Sequence, residues 1–334
     1  MISINQKRDA ELFRRRLAVL QQRSRLGARR WWPYYLYHFA DITNVVSILK
    51  AGEVVSRATL MAEQGGFTDS ASPVIIDQTD EKWKNYVRFY FRPRTPTLYR
   101  NEGFRPLKRR ALGGAHCPAP VYMFFDIEPI LTREDSAFSY GSLARPETLV
   151  YSTAAEFELL PFDLVYHDSR FEKNERDSII FHRHAEVIVP ERVGLESLRY
   201  LWCRSEAEYE TLRHLLPVEV LAAWGDKIGV RSDYTLFNRD WLYVERAALD
   251  AERVLFTFNP PRSSLDAGPF DLRVKVIEGV TGSVYNYRQT DADITKPLAV
   301  DLSALRRPLE YSVTLYLDGN IAYAGEFIAA HKPF

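Results

Sequence analysis

The run from Ile179 to Pro190, near the middle of the chain, is rich in apolar residues and closes with a proline. Alternate side chains share one face of a β-strand, so the pattern predicts a strand that ends at the proline. One face would carry His182, His184 and Glu186. A carboxylate among Ala, Val and Ile is costly to bury without a partner. Glu186 is therefore expected either in a structural ion pair, with Arg183 or a neighbouring strand, or at the wall of a cleft as a catalytic acid.

A second pattern, with apolar residues three and four positions apart, predicts a helix over about residues 5 to 28. The remaining surface of this helix and the residues after it are basic: Arg14, Arg15, Arg16, Arg23, Arg25, Arg29 and Arg30. This charge can be a solvated helix face or an arm that contacts nucleic-acid phosphates. The pattern leaves both alternatives open.

An aromatic strand is expected from Tyr34 to Ala40, followed by a helix from Val45 to Lys50. The intervening Asp41-Ile42-Thr43-Asn44 has the polar side chains that cap helix N-termini, and Gly52 is suited to end the helix. His38 lies on the strand beside this capped helix. A single histidine is more often a core residue than a functional one, so the pattern alone assigns it no role.

Several short runs between residues 245 and 334 alternate with a period of two, and Asp318-Gly319-Asn320 is a hairpin turn. These runs predict a small antiparallel, sandwich-like unit. They are Val254–Phe258, Phe270–Val276, Ser283–Tyr285, Tyr311–Leu317 and Ile321–Tyr323. Because no cluster of ionisable residues is visible in it, the unit is expected to bind or position something rather than to catalyse.

Composition narrows the class of protein without identifying a partner. The 334 residues allow about two domains, and the 44 basic and 44 acidic residues cancel. Two distant cysteines, Cys117 and Cys203, argue against a disulfide framework or a cysteine zinc site and fit a reducing compartment. No apolar run reaches the ~18 residues of a membrane span, and the first residues lack the apolar segment of a signal peptide. A cytoplasmic protein that does not enter the membrane is expected.

Positive charge is concentrated between Lys84 and Arg110, where Glu102 is the single acid and aromatic residues are interleaved. Positive charge follows a phosphate backbone and aromatic faces stack unpaired bases, which is the combination that binds single-stranded nucleic acid. Arg88, Tyr90 and Arg92 are expected to share one strand face. The two prolines of Arg92-Pro93-Arg94-Thr95-Pro96 predict a rigid loop after that strand.

Three of these stretches, in the same order, resemble motifs of the DarT-type nucleic-acid ADP-ribosyltransferases. Arg183–Val189 resembles the family's (Lys/Arg)-x-Ala-Glu-(Phe/Val)-Leu-Val strand, and Tyr35–Gly52 resembles its N-terminal NAD-binding segment. Tyr86–Tyr99 resembles the run Asp-Tyr-Val-x-Phe-Tyr-Phe-x-Pro-Arg-(Ser/Thr)-Pro-Met-Leu-Tyr. The resemblance covers about residues 34 to 217, and three ordered matches are more specific than any one of them.

The resemblance implies roles for individual residues. Glu186 would be the catalytic carboxylate, and His38 would hydrogen-bond the adenosine-side ribose of NAD, the co-substrate, with no metal involved. Further NAD contacts are assigned to Asn44, Gly52, Arg57 and Tyr90. Contacts to nucleic acid are assigned to Arg88, Arg92, Arg94, Thr95, Thr97, Tyr99 and His184.

The chain departs from the family at two places. Thr97 stands where other members often have methionine, so the choice of base need not carry over. An arginine that steadies the NAD phosphates in known members is missing between residues 61 and 85, where Lys82 or Lys84, or the earlier Arg57, would have to replace it.

The long connection from residue 150 to 178 is expected to be a loop that recognises the acceptor.

The resemblance implies an α+β ADP-ribosyltransferase fold for the middle of the chain, and the patterns on either side of it predict two further parts. Residues 1–30 would form a basic N-terminal helix, and residues 31–240 an ADP-ribosyltransferase fold, a split central β-sheet with flanking helices. Residues 245–334 would form an all-β, sandwich-like accessory domain.

The predicted function is transfer of ADP-ribose from NAD to a base of single-stranded DNA, as a toxin or phage-defence effector that a macrodomain antitoxin can oppose. One alternative is the same transfer onto RNA, which only a contact to the 2′-hydroxyl would separate from DNA. A second is a non-catalytic binder of single strands, which would have no use for a carboxylate facing a cleft. A third is transfer onto protein, which the interleaved basic and aromatic residues disfavour.

Overall fold

The computed structural model describes residues 5–22, 24–63, 80–110, 116–306 and 308–329. Its larger part, up to residue 243, contains ten described strands. They are β1 (Tyr35–Asp41), β2 (Glu53–Val55), β3 (Tyr86–Tyr90), β4 (Pro120–Asp126), β5 (Ala137–Ser139), β6 (Val150–Tyr151), β7 (Glu186–Pro190), β8 (Arg192–Gly194), β9 (Leu198–Cys203) and β10 (Ile228–Val230). Eight of them form one sheet in the order β10-β9-β4-β1-β3-β7-β5-β6, and β2 pairs with β8.

The large sheet consists of two halves that meet between β1 and β3. Seven residue pairs join β1 to β4, whereas one pair, Tyr37 with Tyr90, joins β1 to β3. The expected split central sheet is therefore confirmed, and the α+β class with it.

Helices flank the sheet, and their ends follow local sequence signals. The described helices are α1 (Ala10–Gln21), α2 (Ile42–Ala51), α3 (Arg57–Ala62), α4 (Glu81–Lys84), α5 (Pro96–Asn101), α6 (Ile127–Leu131), α7 (Ala154–Phe157), α8 (Phe162–Val165), α9 (Arg176–His182), α10 (Glu206–Leu215) and α11 (Val218–Trp224). The Asp41 side chain caps α2 by accepting the Thr43 N–H at 3.1 Å. Gly52 ends the helix at a φ of +77°, a conformation that costs glycine nothing. Both predicted ends of α2 are confirmed, and the helix begins three residues earlier than expected.

The strand predicted from Ile179 is wrong over its first half. Residues up to His182 belong to α9, and β7 begins only at Glu186. The N–H groups of His184 and Ala185 close the intervening turn by donating to the carbonyls of Phe181 and His182. A short apolar run such as Ile179-Ile180-Phe181 does not distinguish a strand from a buried helix turn. His182 and His184 therefore do not share a strand face with Glu186.

Two further boundaries differ from expectation. α1 ends at Gln21, not near residue 28, and a separate 3-10 turn covers Ser24–Arg29. The connection from 150 to 178 is not a bare loop, because it contains β6, α7 and α8. Its small helices bury Phe157, Phe162 and Val165 in the core, so most of its length has a structural role.

The two faces of the sheet are covered differently. One face packs against α1, α2 and α10, whose Phe13, Leu49 and Leu212 join the largest apolar core. On the other face, Leu98 of α5 and Phe237 pack over aromatic residues of β1 and β4. Directly paired residues of neighbouring strands point to the same side. A single row on this second face therefore crosses five strands: Tyr200, Phe124, Tyr37, Tyr90 and Glu186.

The C-terminal part forms two small antiparallel sheets around their own core. Its strands are β11 (Val244–Leu249), β12 (Arg253–Phe258), β13 (Phe270–Glu278), β14 (Val284–Ala292), β15 (Leu298–Asp301), β16 (Glu310–Leu317) and β17 (Asn320–Ile328). The sheets have the orders β11-β12-β15 and β14-β13-β16-β17. All five predicted runs and the hairpin at Asp318-Gly319 are confirmed. β11 and β15 were not expected, and β14 is longer than its predicted run.

α10 joins this C-terminal unit to the large sheet. The Ser205 hydroxyl donates to the Val244 carbonyl at 2.7 Å, and Thr211 Oγ1 accepts the Ala324 N–H at 3.0 Å. Arg109 and Arg110, at the end of the basic run, form ion pairs with Asp266 and Asp318 of the C-terminal unit. The domain limits 31–240 and 245–334 stay a prediction, since the two units share α10 as a common wall.

Candidate active site

Glu186 is the first residue of β7 and lies at the floor of the second sheet face, with 1% of its surface exposed. Arg88 Nε donates to Glu186 Oε2 at 2.6 Å from the neighbouring strand β3. The Glu186 N–H donates to Ser139 Oγ at 3.3 Å, so β5 fixes the backbone at this point. The ion pair expected for Glu186 is present, and its partner is Arg88, not Arg183.

The charge of Glu186 is set by two opposing effects. Burial raises the pKa of the Glu186 carboxyl, whereas the Arg88 guanidinium and a hydrogen bond from the Tyr90 hydroxyl lower it. Burial, and next the Glu186 charge, raise the pKa of Tyr90 to about 12, so this phenol remains a donor at neutral pH. In its ionised form, a carboxylate in a water-poor site can stabilise positive charge that develops beside it, or accept a proton.

His38 reaches the site from the other side of the sheet. Its Nδ1 lies 3.1 Å from the Arg88 carbonyl oxygen, and its ring packs edge-on to Phe89. Burial lowers the pKa of His38, so the ring is neutral, with Nδ1–H as donor and Nε2 as free acceptor. Arg88 thus connects the two predicted residues: its backbone bonds His38 and its guanidinium bonds Glu186, across the point where the half-sheets separate.

The other predicted NAD contacts lie along the segment that follows β1. Asn44 is in the first turn of α2, Gly52 ends that helix, and Arg57 begins α3. The Ser56 N–H donates to the Glu191 carbonyl at 2.6 Å, which brings the start of α3 to the end of β7. Tyr90 differs from these three because it pairs directly with Glu186 in the sheet. The NAD-binding roles of all of them stay predictions.

Residues 64–79, most of the window in which the family's arginine is missing, lie outside the described part of the chain. The two lysines that could replace it are on α4, where Lys82 lies 3.2 Å from Asp80 and Lys84 pairs with Glu81. Both pairs are local, so neither lysine is oriented by a contact to Glu186.

Arg92 and Thr95 are buried, and their contacts to nucleic acid stay predictions. Arg92 is 1% exposed, donates to Asp168 Oδ1 at 2.8 Å and lies 4.9 Å from the Trp32 ring. β3 ends at Tyr90, so Arg92 does not share a strand face with Arg88. Thr95 caps α5 by accepting the Leu98 N–H at 3.1 Å. Both buried residues hold the loop in place, and Arg94, which lies between them, is partly exposed.

Arg94 is the partly exposed basic residue of this loop and has an unusual backbone. Its φ is +53°, a conformation that a non-glycine residue keeps only where its surroundings impose it. The imposing contact is a hydrogen bond from the Arg94 N–H to the Tyr122 hydroxyl at 2.8 Å. Backbone strain of this kind is typical of functional sites. The buried Arg94 Nε also has no hydrogen-bond partner within the described part of the chain.

Asp168, which the sequence did not single out, gathers three arginines. Arg92 lies 2.8 Å, Arg94 3.6 Å and Arg29 3.8 Å from its carboxylate. One negative charge against three positive ones leaves an excess of positive charge, which favours phosphate groups. No local pattern marks this residue, because all three partners are distant in sequence.

Three more residues that are predicted to contact nucleic acid are Tyr99, Thr97 and His184. Tyr99 is 55% exposed on α5, and Thr97 Oγ1 lies 3.4 Å from the Tyr90 hydroxyl oxygen. His184 lies in the turn before β7, where burial lowers its pKa to about 4 and keeps it neutral. Tyr90 connects Thr97 to Glu186, His184 precedes Glu186 by two residues, and the contacts of these side chains to nucleic acid stay predictions.

The arginines of α1 are engaged with acidic residues of the chain itself. Arg14 donates to Glu128 at 2.6 Å, Arg15 lies 3.4 Å from Glu11, and Arg16 pairs with Glu158. These contacts bind α1 to α6 and to the end of α7. They favour the solvated-face alternative for this helix over a nucleic-acid arm.

Within the described ranges, no group of three or more His, Cys, Asp or Glu side chains could hold a metal ion. No described helix is long and apolar enough to cross a membrane. Cys117 and Cys203 are buried free thiols, each within a strand or bridge of the large unit.

A family model described as "ssDNA thymidine ADP-ribosyltransferase, DarT" matches residues 37–243. The matched region ends one residue before β11, so the C-terminal unit lies beyond it. No curated protein matches the chain significantly.

Three solved structures are similar to the chain. Thermus sp. 2.9 DarT in complex with ADP-ribosylated ssDNA is 15% identical with a TM-score of 0.46, over 60% of this chain and 95% of that one. The same DarT in complex with NAD+ is 16% identical with a TM-score of 0.44, over 60% and 96%. Thermosipho africanus DarTG in complex with ADP-ribose is 19% identical with a TM-score of 0.46, over 65% and 53%.

Proposed function

Because the chain belongs to the DarT family of ssDNA thymidine ADP-ribosyltransferases, we propose that it transfers ADP-ribose from NAD to a thymidine base in single-stranded DNA. The observation that carries the proposal is Glu186, a buried carboxylate paired with Arg88 at the floor of an aromatic sheet face. Burial of an ion is costly even when it is paired, and this ion lies at the position that resembles the family's catalytic glutamate.

Glu186 performs the central step in this proposal. The bond between the NAD ribose and nicotinamide breaks, positive charge develops on the ribose, and the carboxylate stabilises that charge while holding the 2′-hydroxyl. A ring nitrogen of the base forms the new bond to the ribose carbon. The proton of that nitrogen passes to Glu186 and then to water, while nicotinamide leaves as a neutral molecule. No oxidant or metal is required.

The surrounding residues supply binding. His38 offers its free Nε2 to a ribose hydroxyl, and its neutrality suits an acceptor role. Arg94, with its imposed backbone, and the excess positive charge around Asp168 attract the DNA backbone to the mouth of the pocket. Tyr99 presents an exposed ring on which an unpaired base can stack.

The decisive experiment supplies labelled NAD together with single-stranded DNA, duplex DNA or RNA of the same sequence. We expect label on single-stranded DNA that contains thymidine, with free nicotinamide released in equal amount, and mass spectrometry should locate one ADP-ribose on that base. Label on RNA alone would favour the RNA alternative. Tight binding of DNA without release of nicotinamide would instead indicate a non-catalytic binder.

Replacing Arg88 with methionine should lower the transfer rate at neutral pH by about tenfold or more, since a hydrogen bond to a charged group contributes about 1.5–3 kcal/mol. The pKa of Glu186, already raised by burial, should rise further without the guanidinium. The active form is ionised, so the acidic limb of the pH–rate profile should move to higher pH. Rates measured between about pH 5 and 9 report this shift.

Two companion variants make the Arg88 test specific. Arg88→Lys keeps a positive charge and should recover part of the rate. Arg192→Met removes an exposed arginine of β8 that pairs with Glu53, away from Glu186, and should leave the profile in place. An unshifted acidic limb in Arg88→Met would mean that Arg88 does not control the charge of Glu186.

Replacing Arg14, Arg15 and Arg16 together with alanine should leave the salt dependence of DNA binding unchanged, because these arginines are paired with acids of the chain. For comparison, an arginine that did bind a phosphate of a single strand would contribute about 0.7 to the slope. Arg94→Ala should act differently, by changing which oligonucleotide is modified or by stopping modification with a modest loss of affinity. Salt titrations of both variants on a small oligonucleotide panel check this.

We also propose that the protein acts in the cytoplasm as a toxin whose effect a macrodomain antitoxin reverses by removing ADP-ribose. Support comes from the family alone. Expression of the wild-type chain should arrest growth, and co-expression of an active macrodomain should relieve the arrest. Unimpaired growth despite measurable DNA modification would count against this role.

A further inference from the structure

A second aromatic surface lies at the far end of the row that starts at Glu186. We call it the aromatic platform and define it by Tyr35, Tyr200, Trp202 and Arg231. The Tyr200 ring lies 5.8 Å from the Tyr35 ring and 5.6 Å from the Trp202 ring, to which it is inclined by 30°. The Arg231 guanidinium lies 4.9 Å from the Trp202 ring and 5.7 Å from Trp31. The Tyr200 and Trp202 rings thus lie side by side at a small inclination, Tyr35 meets Tyr200 edge-on, and one guanidinium lies over Trp202.

The platform is accessible although it consists of large aromatic rings. Tyr200 is 40% exposed, and Tyr35, Trp202 and Arg231 are partly exposed. The middle of the row is different, because Phe124 is buried under the parallel ring of Trp31, 5.7 Å away. The row therefore ends at the buried Glu186 on one side and at the partly exposed platform on the other, with a covered centre between them.

The row itself argues for one occupant of both ends. The row has one residue on each of five adjacent strands, and each residue pairs directly with the next. All five therefore lie on one side of one sheet: Tyr200, Phe124, Tyr37, Tyr90 and Glu186. Four strand spacings of about 4.8 Å separate the ends by about 19 Å. At the stacked rise of about 3.4 Å per nucleotide this corresponds to about six nucleotides, and an extended strand covers it with fewer.

The chemistry of the platform suits unpaired bases better than a protein partner. The aromatic rings lie 5–6 Å from one another, and the Arg231 guanidinium lies over Trp202 and Trp31. Unpaired bases of any sequence can stack on such a surface. Arg199, beside Tyr200 on β9, is exposed and adds positive charge at the edge, although it pairs with Asp126.

We propose that the aromatic platform binds the same DNA strand that is modified at Glu186, by stacking bases several nucleotides away from the target. This rests on the proposed function. It gives the enzyme a preference for strands long enough to reach both ends of the row. Sequence in the remote segment would matter little, because stacking accepts every base.

The test measures fluorescence anisotropy without NAD, and transfer with NAD, on three single-stranded oligonucleotides with one thymidine each. One has four nucleotides, and two have sixteen, with the thymidine near the 5′ end or the 3′ end. Wild-type protein should bind at least one long oligonucleotide more tightly than the short one. Tyr200→Ala should weaken that binding about fivefold or more, and Tyr200→Phe, which keeps the π face, should not. Arg231→Gln, which removes the cation over Trp202 and keeps every aromatic ring, should weaken it in the same direction.

A matched control is Tyr287→Ala, which removes a tyrosine of similar exposure, 44%, from β14 of the C-terminal unit. Thermal melting of each variant establishes that it is folded. Equal effects of Tyr200→Ala and Tyr287→Ala on the long oligonucleotides, or equal wild-type affinity for long and short ones, would overturn the platform. Absence of transfer to any oligonucleotide would overturn the proposed function instead, and the binding data would still decide the platform.

Discussion

Glu186→Gln should reduce ADP-ribose transfer by about a hundred- to a thousandfold, the usual effect of removing one group that stabilises charge in the transition state. Glutamine has nearly the same size and can still accept the hydrogen bond from Arg88, so packing at the floor of the site should be kept. The variant lacks the negative charge next to the ribose and the acceptor for the proton of the base. Single-turnover transfer to a thymidine oligonucleotide gives the rate directly.

The control for this variant is Glu196→Gln, which neutralises an exposed glutamate in the turn before β9. It should transfer at the wild-type rate. DNA affinity of Glu186→Gln, measured without NAD, should remain near that of the wild type, because the change acts on the chemical step. A folded Glu186→Gln protein with full transfer activity would show that another group performs the reaction.

Arg204→Met should lower the free energy of unfolding by about 3–5 kcal/mol, which is the cost of removing one partner from a fully buried ion pair. Arg204 and Glu102 are completely buried, and Glu208 nearly so. Arg204 Nη1 donates to Glu102 at 3.3 Å and Nε to Glu208 at 3.1 Å. Without the guanidinium, two carboxylates remain without their cation at the junction of β9, α5 and α10.

The destabilisation should depend on pH with a definite sign. Burial already raises the pKa of Glu208, and Arg204 counteracts this. In the variant the pKa rises further above its unfolded value, so the carboxyl is best tolerated in its protonated form. The destabilisation should therefore be smaller near pH 5 than near pH 8. Urea unfolding at both values measures it.

Arg199→Met is the matched control for Arg204, since Arg199 is on the same strand but pairs with Asp126 at the surface. Exposed pairs contribute about 0–1 kcal/mol, so little change is expected. Equal stability of the two variants would mean that the buried network does not hold the units together. Glu102 also accepts the N–H groups of Asn238 and Arg239, so the network reaches the segment that leads into the C-terminal unit.

Local signals were sufficient where structure depends on neighbours in sequence. The cap at Asp41 and the helix end at Gly52 are set by groups a few residues apart in the chain. The period-two runs of the C-terminal unit were equally clear, because one face of each strand is buried and the other is open. In each case, residues close together in the chain are enough to decide the local conformation.

Local sequence patterns predicted the wrong element where a segment is apolar on all sides, because such a segment shows no helical or strand period. The run Ile179-Ile180-Phe181 is apolar throughout, and only its packing decides that it ends a helix. The basic run from Lys84 to Arg110 looked like one nucleic-acid surface, yet Arg92 and Arg105 are buried and Arg109 and Arg110 hold the C-terminal unit. Charge in a sequence does not say whether its partner is a phosphate or an aspartate of the same chain.

The sequence by itself determined the family, the split-sheet class, the C-terminal β unit and Glu186 as the candidate catalytic residue, because motifs and periodicity are properties of neighbouring positions. The tertiary structure alone decided that Arg88 is the partner of Glu186, that Asp168 collects three arginines and that Tyr200 shares a row with the site. These contacts join residues far apart in the chain. Their strength comes from burial and register, which exist only after the strands have paired.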